Sequence, residues 1–218
     1  IWKNARAEGY HSIAIGVSDD AFGEKTTAIG SKSIAMGTGS FSRQAYSYTY
    51  GYYLDNNDTY SVALGKYNVP VTTGTTLIVG NGTSESNRSN AMVVYDNGNV
   101  TIAGDLSENS DLRLKTDIEP IGSLNYKIAK LRPVTFRFIG RTPDAKKREF
   151  GLIAQEVREV FPELVTEDKQ GMLSLSYSKL SVLLIKACQE QQAELIRKEE
   201  EINALREEIE SIKEYLGL

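Results

Sequence analysis

Glycine recurs every seven residues in the first third of the chain, and this spacing limits what the segment can fold into. The series is Gly9, Gly16, Gly23, Gly30, Gly37, then Gly51 and Gly65, with Gln44 and Asp58 at the two places where it fails. Alanine precedes many of these positions by two residues, as Ala7, Ala14, Ala21, Ala28, Ala35 and Ala63. A period of seven is typical of coiled coils, but a glycine in every heptad would destabilise a helix by about 1 kcal/mol per occurrence. Short strands separated by glycine turns satisfy the same period, so the spacing predicts the rungs of a β-solenoid.

The repeated units, such as Ser-Ile-Ala-Met-Gly at residues 33–37, resemble the head repeats of trimeric autotransporter adhesins. The resemblance covers about residues 5–68, although residues 41–57 depart from the motif. It implies a left-handed parallel β-roll shared by three chains, and we therefore assign residues 1–68 to a β-roll head. Rolls of this kind are usually rigid spacers.

Four tyrosines lie at alternate positions within the departing segment: Tyr46, Tyr48, Tyr50 and Tyr52. In an extended strand, alternate side chains point to one face. Such a stripe could stack on the sugar rings of a host-surface glycan, or it could pack across a trimer or against the next rung. Both interpretations stay open at this point.

Residues 69–109 contain β-rich stretches and one strong turn signal. Asn97 and Gly98 lie between segments of β-forming residues, which is typical of a hairpin. The strands are short and polar, so we expect that they cannot bury a core within one chain. The segment is therefore predicted to be a connector or stem in which three chains intertwine.

Charge and composition exclude several classes of function. Lysine and arginine total 25 against 29 acidic residues, a net charge of −4 that argues against nucleic-acid binding. With one cysteine and one histidine, an intrachain disulfide, a Cys/His zinc site and a histidine-based triad are excluded within one chain. We predict no metal, no cofactor and no membrane insertion, since no apolar run approaches the roughly 20 residues that span a bilayer. The chain opens without Met, which suggests a fragment of a longer protein.

The second half is rich in charge and carries an ordered set of motifs. Ser110 opens the string Ser-Asp-Leu-Arg-Leu-Lys-Thr-Asp-Ile, and later strings begin at Phe150, Phe161 and Tyr177. They resemble the intramolecular chaperone auto-processing domain of endosialidase-type tailspikes and tail fibres, and the resemblance spans residues 110–218. It implies a self-cleaving serine peptidase with a Ser-Lys dyad.

The family's dyad falls on Ser110 and Lys115, and the resemblance favours cleavage between Ser110 and Asp111. Arg113, Gln155 and Glu156 are further motif positions that could support the site. A lysine acts as a base only when burial lowers its pKa enough to leave it neutral.

The spacing of the dyad leaves its geometry open. Two residues five apart lie on opposite faces of a strand and about 140° apart on a helix, so neither element brings Ser110 and Lys115 together. The site needs a turn between them or a lysine from a neighbouring chain. The identity of the bond that is cut is open as well, because attack of a serine on its own carbonyl requires a four-membered ring. A shift through a five-membered ring would instead break the bond between Asn109 and Ser110, whereas a serine from another chain avoids the ring problem.

A long helix is predicted over residues 178–216, with a coiled-coil seam. Its apolar residues alternate by three and four: Ile202, Leu205, Ile209, Ile212 and Leu216. Isoleucine at both core positions favours trimers or tetramers over dimers, and Glu201–Arg206 and Glu208–Lys213 fall at positions for pairs between parallel chains. Upstream, Cys188, Gln191 and Lys198 weaken the seam.

The remaining elements complete a small α+β unit. We predict helices at 123–130 and 155–160, strands at 134–139, 150–154, 164–166 and 173–175, and a polar loop at 140–147. The fold class is thus a mainly β trimeric fibre followed by a small α+β domain with a long coiled-coil helix.

Two functions compete for a chain of this kind. The first is a homotrimeric phage tail fibre or tailspike in the virion, assembled in the host cytoplasm and extracellular after release, whose C-terminal domain assists folding and then cleaves itself off. The second is a bacterial trimeric surface adhesin in which the C-terminal half only trimerises.

Overall fold

A computed structural model describes residues 5–16, 26–139 and 148–217 of the chain. It divides into two compact units, Ile1–Ser110 and Asp111–Leu218. Two positions of the repeated units, Ala21 and Gly23, lie outside the described residues. The predicted loop at 140–147 lies outside them as well. Among the helices that the structure describes, none is long and apolar enough to cross a membrane.

The first unit is built from strands that alternate between two sheets. These are β1 (Ala5–Ala7), β2 (Ile13–Gly16), β3 (Thr26–Ala28), β4 (Ile34–Thr38), β5 (Phe41–Ser42), β6 (Tyr48–Tyr52), β7 (Asp55–Asn56), β8 (Val62–Lys66), β9 (Thr75–Asn81), β10 (Asn90–Tyr95) and β11 (Val100–Ile102). One sheet has the order β1-β3-β5-β7 and is parallel. The other has the order β11-β10-β9-β8-β6-β4-β2 and is parallel from β2 to β9. Each rung therefore contributes one strand to each sheet, which confirms the β-solenoid. Paired strands are two seven-residue units apart between β3 and β7 and between β4 and β8, whereas the first step, from β1 to β3 and from β2 to β4, spans three units.

Small side chains fill the space between the two sheets. Ala35, Thr49 and Ala63 are in register on neighbouring strands and are fully buried. Ala28 and Ser42 occupy the corresponding positions of the other sheet and are also fully buried. The hydroxyls of Thr49 and Ser42 are hydrogen-bonded: the Oγ1 of Thr49 donates to the carbonyl of Phe41 at 3.2 Å, and the Oγ of Ser42 donates to the carbonyl of Ser47 at 2.8 Å. Ala28, Ala35 and Ala63, each two residues before a glycine of the series, are thus inward-facing residues.

The glycine positions are set by the close approach of successive rungs. A Cβ on Gly51 would lie 1.9 Å from the carbonyl oxygen of Gly65, and Gly51 has φ +154°. Asp58, where the glycine series fails, has a different role. Its carboxylate is buried and accepts hydrogen bonds from the backbone N–H and the hydroxyl of Thr75, at 2.7 and 2.9 Å. This carboxylate holds the start of β9 against the preceding turn.

Residues 41–57 depart from the motif in sequence but keep the register of the roll. They supply β5, β6 and β7, which pair in parallel with the preceding strands. The parallel sheet also continues past residue 68, because Leu77 of β9 pairs with Val62 of β8. Beyond it, the predicted hairpin is present: the N–H of Tyr95 donates to the carbonyl of Asn99 at 2.9 Å.

The expectation that residues 69–109 bury no core in one chain is wrong at two positions. Ile78 is fully buried and Val93 is 5% exposed, and the two are paired across β9 and β10. The reason is that β9 joins the existing sheet, so its inward face covers the interior that the roll has already formed. Intertwining of this segment between chains stays a prediction.

The second unit is a small α+β fold with a long helix. Its elements are α1 (Asn125–Ile128), β12 (Val134–Phe136), β13 (Glu149–Gly151), α2 (Ala154–Val160), β14 (Val165–Glu167), β15 (Leu173–Leu175) and α3 (Tyr177–Leu216), with 3-10 turns at Leu112–Leu114 and Pro162–Leu164. β12 pairs with β13 and β14 with β15, both antiparallel. The predicted helices and strands of this unit are confirmed, with α1, β12 and β13 shorter than expected; β13 ends at Gly151, and Ala154 belongs to α2.

The core of the second unit is small and includes the start of α3. Leu124, Val157, Phe161 and Leu164 are buried together, and Leu180 and Leu183 of α3 pack against them. Glu190, further along α3, accepts a hydrogen bond from the backbone N–H of Leu124 at 3.0 Å. The first four turns of α3 are thereby anchored to the unit.

Candidate functional site

A turn lies between Ser110 and Lys115. Asp111 has an extended backbone and begins the 3-10 turn Leu112–Leu114, with its Oδ1 accepting the N–H of Arg113 at 2.8 Å. At the other end, the N–H of Lys115 donates to the carbonyl of Leu112 at 3.1 Å. A turn thus separates Ser110 from Lys115 within one chain, and a dyad of these two residues stays a prediction.

Arg113 fixes the orientation of the Asp111 carboxylate. Its Nε donates to Oδ1 at 2.9 Å and its terminal nitrogen donates to Oδ2 at 2.7 Å, so the contact is bidentate. The hydrogen bond from Arg113 lowers the pKa of the Asp111 carboxyl, and the pKa of Arg113 is raised in turn. The residue that follows Ser110 is therefore held as an anion against a guanidinium.

Ser110 and Lys115 are both exposed, as are all residues from 103 to 123. The boundary between the two compact units falls between Ser110 and Asp111, which is the bond that the family resemblance favours for cleavage.

The other two motif positions lie on α2. Gln155 is exposed, and Glu156 forms an ion pair with Arg132, which precedes β12. The contact described for Glu156 is thus one that ties α2 to the rest of its unit. The described residues contain no group of three or more histidine, cysteine, aspartate or glutamate side chains that could hold a metal ion.

The four tyrosines do not form one stripe. Tyr48, Tyr50 and Tyr52 lie on β6 and alternate with the inward-facing Thr49. Tyr46 lies in the preceding turn with φ +56°, so the prediction that it shares their face is wrong. Its side chain lies beside residues of the equivalent turns in the neighbouring rungs. Its ring stacks on that of Tyr60, with 4.8 Å between the ring centroids, and its hydroxyl accepts a hydrogen bond from the Nζ of Lys32 at 3.1 Å. A left-handed backbone residue ends the strand geometry and redirects the side chain.

The outward face of the seven-stranded sheet is apolar in two continuous columns. The first contains Ile13, Ile34, Tyr48, Val62, Leu77, Val94 and Val100. The second contains Ile15, Met36, Tyr50, Leu64, Val79, Met92 and Ile102. Exposed fractions reach 48% at Ile13 and 53% at Val100. We call these columns the apolar face; monomeric proteins rarely expose an apolar surface this extensive.

The apolar face was not predicted, although the sequence carries a signal for it. Large apolar residues stand on both sides of the inward-facing alanine in several repeats, as Ile13 and Ile15 stand around Ala14. Because strand side chains alternate, residues that flank a buried position lie on the opposite face. The same pattern that identified the rung thus also marked its outer surface.

The predicted seam of α3 is also exposed. Its five apolar residues are 49–60% exposed: Ile202, Leu205, Ile209, Ile212 and Leu216. No described residue of α3 is buried. Lys213 donates a hydrogen bond to Glu210 of the same helix at 2.7 Å. Each unit of the chain therefore presents a regular apolar surface that nothing in the described part of that unit covers.

Two families match parts of the chain. The family described as chaperone of endosialidase, a family of self-cleaving peptidases, matches residues 110–166. The YadA head domain repeat matches twice, at residues 3–18 and 21–40.

Curated relatives are phage proteins. The long tail fiber protein Gp37 of Enterobacteria phage Ox2 is 35% identical over 108 residues, which are 46% of this chain and 42% of that protein. Gp37 of phage M1 is 36% identical over 93 residues, which are 39% of this chain and 37% of that protein. Gp37 of phage K3 is 36% identical over 85 residues, which are 36% of this chain and 7% of that protein. The chain thus spans less than half the length of these relatives. Residues 110–166 thus match the endosialidase chaperone family, and the residues before them match YadA-type head repeats.

Proposed function

We propose that the chain is part of a homotrimeric phage tail fibre or tailspike whose second unit assists folding of the first and then leaves by autoproteolysis at Ser110. The observation that carries this proposal is the coincidence at residue 110, where the chaperone family match begins and where one compact unit ends. The fibre belongs to the virion, is assembled in the host cytoplasm and is extracellular after release. The alternative of a bacterial surface adhesin is not favoured, because the curated relatives are phage tail fibre proteins.

The two apolar surfaces support assembly from three copies. Isoleucine at both core positions of the α3 seam favours three or four strands, and the seam is exposed in one chain. The apolar face of the roll likewise requires a cover, and a second and third copy brought into register by α3 would supply one. Tyr48 and Tyr50 would then pack between copies. A glycan contact on the host surface stays a prediction for Tyr46 and Tyr52, which lie outside that face.

A folding assistant is useful because the first unit depends on pairing between distant residues. Parallel strands joined across 14 residues or more require loop closure before any contact stabilises them. α3 is built from local contacts and can align three chains early. Once the second unit has left, the assembled fibre no longer carries its assembly device and is kinetically trapped.

The proposed chemistry begins with the Oγ of Ser110, which attacks a carbonyl carbon while the amine of Lys115 takes the hydroxyl proton. The new C–O bond forms as the C–N bond breaks, and Lys115 returns the proton to the departing amine. Water then hydrolyses the ester and restores the serine hydroxyl. Attack on the carbonyl of Asn109 separates Asn109 from Ser110, whereas attack by Ser110 of another chain separates Ser110 from Asp111.

Because Lys115 is exposed in one chain, we infer that neighbouring copies bury it. A neutral amine is favoured only in a site that disfavours charge. Cleavage would therefore follow trimerisation, which prevents loss of the second unit before the first has folded.

The test is the mass of the chain. We expect the wild type to form a trimer and to yield two fragments, whereas Ser110→Ala and Lys115→Ala should each remain at 24.1 kDa while still forming trimers. Ser107→Ala, a change at another exposed serine of the same segment, is the matched control and should be cut normally. Mass spectrometry of the new ends distinguishes the two bonds. A wild-type trimer that stays intact on prolonged incubation would show that this chain does not cleave itself.

A further inference from the structure

A short charged turn with two exposed leucines follows Ser110. We call residues 111–115 the leucine turn; Leu112 is 71% exposed and Leu114 is 70% exposed. Burying a leucine side chain contributes about 1.5–3 kcal/mol relative to leaving it in water. Two exposed leucines one residue apart, on a turn closed by its own hydrogen bonds, form a preorganised apolar projection.

An apolar cleft of about 330 Å³ lies beside the core of the same unit. Its lining includes Leu124, Phe161, Leu164 and Leu183, and its polar residues include Lys127 and Glu163. The Nζ of Lys127 lies 5.8 Å from the centroid of the Phe161 ring, so a cation stands beside the apolar lining. The cleft is far larger than the roughly 30 Å³ that one water occupies, and it can accept apolar side chains.

The charges of the turn and of the cleft are complementary. The leucine turn carries Asp111 and Arg113, whereas the cleft carries Lys127 and Glu163. Docked leucines would place Asp111 toward Lys127, and Arg113 has enough donors to contact Glu163 while it keeps its bond to Asp111. A partner with two apolar side chains flanked by one acid and one base fits this lining.

The residues that the structure describes do not fill this cleft. Leu112 and Leu114 stay exposed, and residues 121–123, which follow the turn closely in sequence, form part of the cleft wall. We propose that the leucine turn of one copy docks in the cleft of a second copy. The contact is heterologous, and around a three-fold axis it closes so that every copy gives one turn and receives one. This inference rests on the proposed homotrimer, and it identifies a contact that would cover the region of Lys115.

Disulfide trapping between two distinguishable chains tests the contact. Cys188 is the only cysteine, so the background is Cys188→Ala with Ser110→Ala to keep the chain whole. One tagged full-length chain carries Leu114→Cys, a second tag marks a chain with Leu183→Cys, and both are co-expressed and oxidised. Docking gives the two thiols a millimolar-range effective concentration, so we expect crosslinking at least about tenfold faster than for the control pair of Leu114→Cys with Tyr215→Cys.

The outcomes separate this contact from the trimer itself. A trimer by sedimentation that crosslinks no faster than the control pair would overturn docking and leave the proposed trimer intact. A single chain with both cysteines that crosslinks only within itself would also overturn it. A monomeric chain would remove both proposals. Lys127→Asp should lower the crosslinking rate in an intact trimer, and an unchanged rate would contradict the proposed pairing with Asp111.

Discussion

The roll and α3 both repeat every seven residues, but they use the repeat in opposite ways. In the roll, seven residues make one strand and its turn, and the inward residues Ala35 and Ala63 are fully buried within the chain. In α3, seven residues make two helical turns, and Ile209 remains 51% exposed. The residue type at the repeated position decides the outcome, because glycine permits turns and close backbones whereas isoleucine supplies a seam for other helices. The roll forms an interior within one chain, whereas no described residue covers the seam of α3.

The largest expected effect comes from charging the seam of α3. Ile209→Asp with Ile212→Asp removes two apolar layers and would bury carboxylates, which is strongly unfavourable without partners. We expect the full chain to change from a trimer to a monomer in sedimentation velocity, and the first unit to lose soluble assembly. Ala204→Asp with Ser211→Asp adds the same charge at exposed positions outside the seam and should leave the trimer intact. Retention of the trimer by the seam variant would place the assembly contact elsewhere.

A smaller and more local effect is expected from Gly51→Ala in the roll. The methyl group would collide with the carbonyl oxygen of Gly65. In addition, alanine at φ +154° has an unfavourable backbone conformation, which alone lowers the stability of the fold by about 1–3 kcal/mol. Hydrogen exchange of the full chain should show faster exchange in β6 and β8 while α3 is unchanged. Gly104→Ala, at a glycine with open space around it, is the control and should change neither region. Equal protection in both variants would mean that the repeated glycine is not required by rung spacing.

The smallest expected effect concerns the turn between the two regions. Because Arg113 lowers the pKa of Asp111, the ionised pairing is fully present above the ordinary carboxyl pKa of about 3.9 and is lost as the pH falls through the lowered value. Carbon-13 titration of the Asp111 carboxyl in the uncut Ser110→Ala chain should give a midpoint below that ordinary value. Arg113→Gln should raise the midpoint, whereas Arg137→Gln, which removes an equal charge from an exposed position, should not. An unshifted midpoint in the wild type would mean that the turn is not held by this pair in solution.

Elements with a strong local signal were predicted well. The rungs, the hairpin at Asn97 and Gly98, and α3 over almost its full length follow from glycine spacing, turn chemistry and the apolar stripe. Each depends on residues close in sequence. Tyr46 shows the limit of this reasoning, since an alternating pattern assumes an extended backbone and one left-handed residue breaks it.

The sequence by itself determined that the first unit is a glycine-spaced solenoid and that α3 carries an apolar seam, and it placed the predicted chemistry of the second half at Ser110. Only the tertiary structure decided that successive strands alternate between two sheets, that residues 69–102 extend one of them, and that the buried carboxylate of Asp58 holds β9. The cleft beside Phe161 and the apolar face likewise exist only in the folded chain. The physical reason is that a seven-residue period specifies where the chain turns, whereas the neighbours that a strand or side chain meets depend on contacts between residues far apart in sequence.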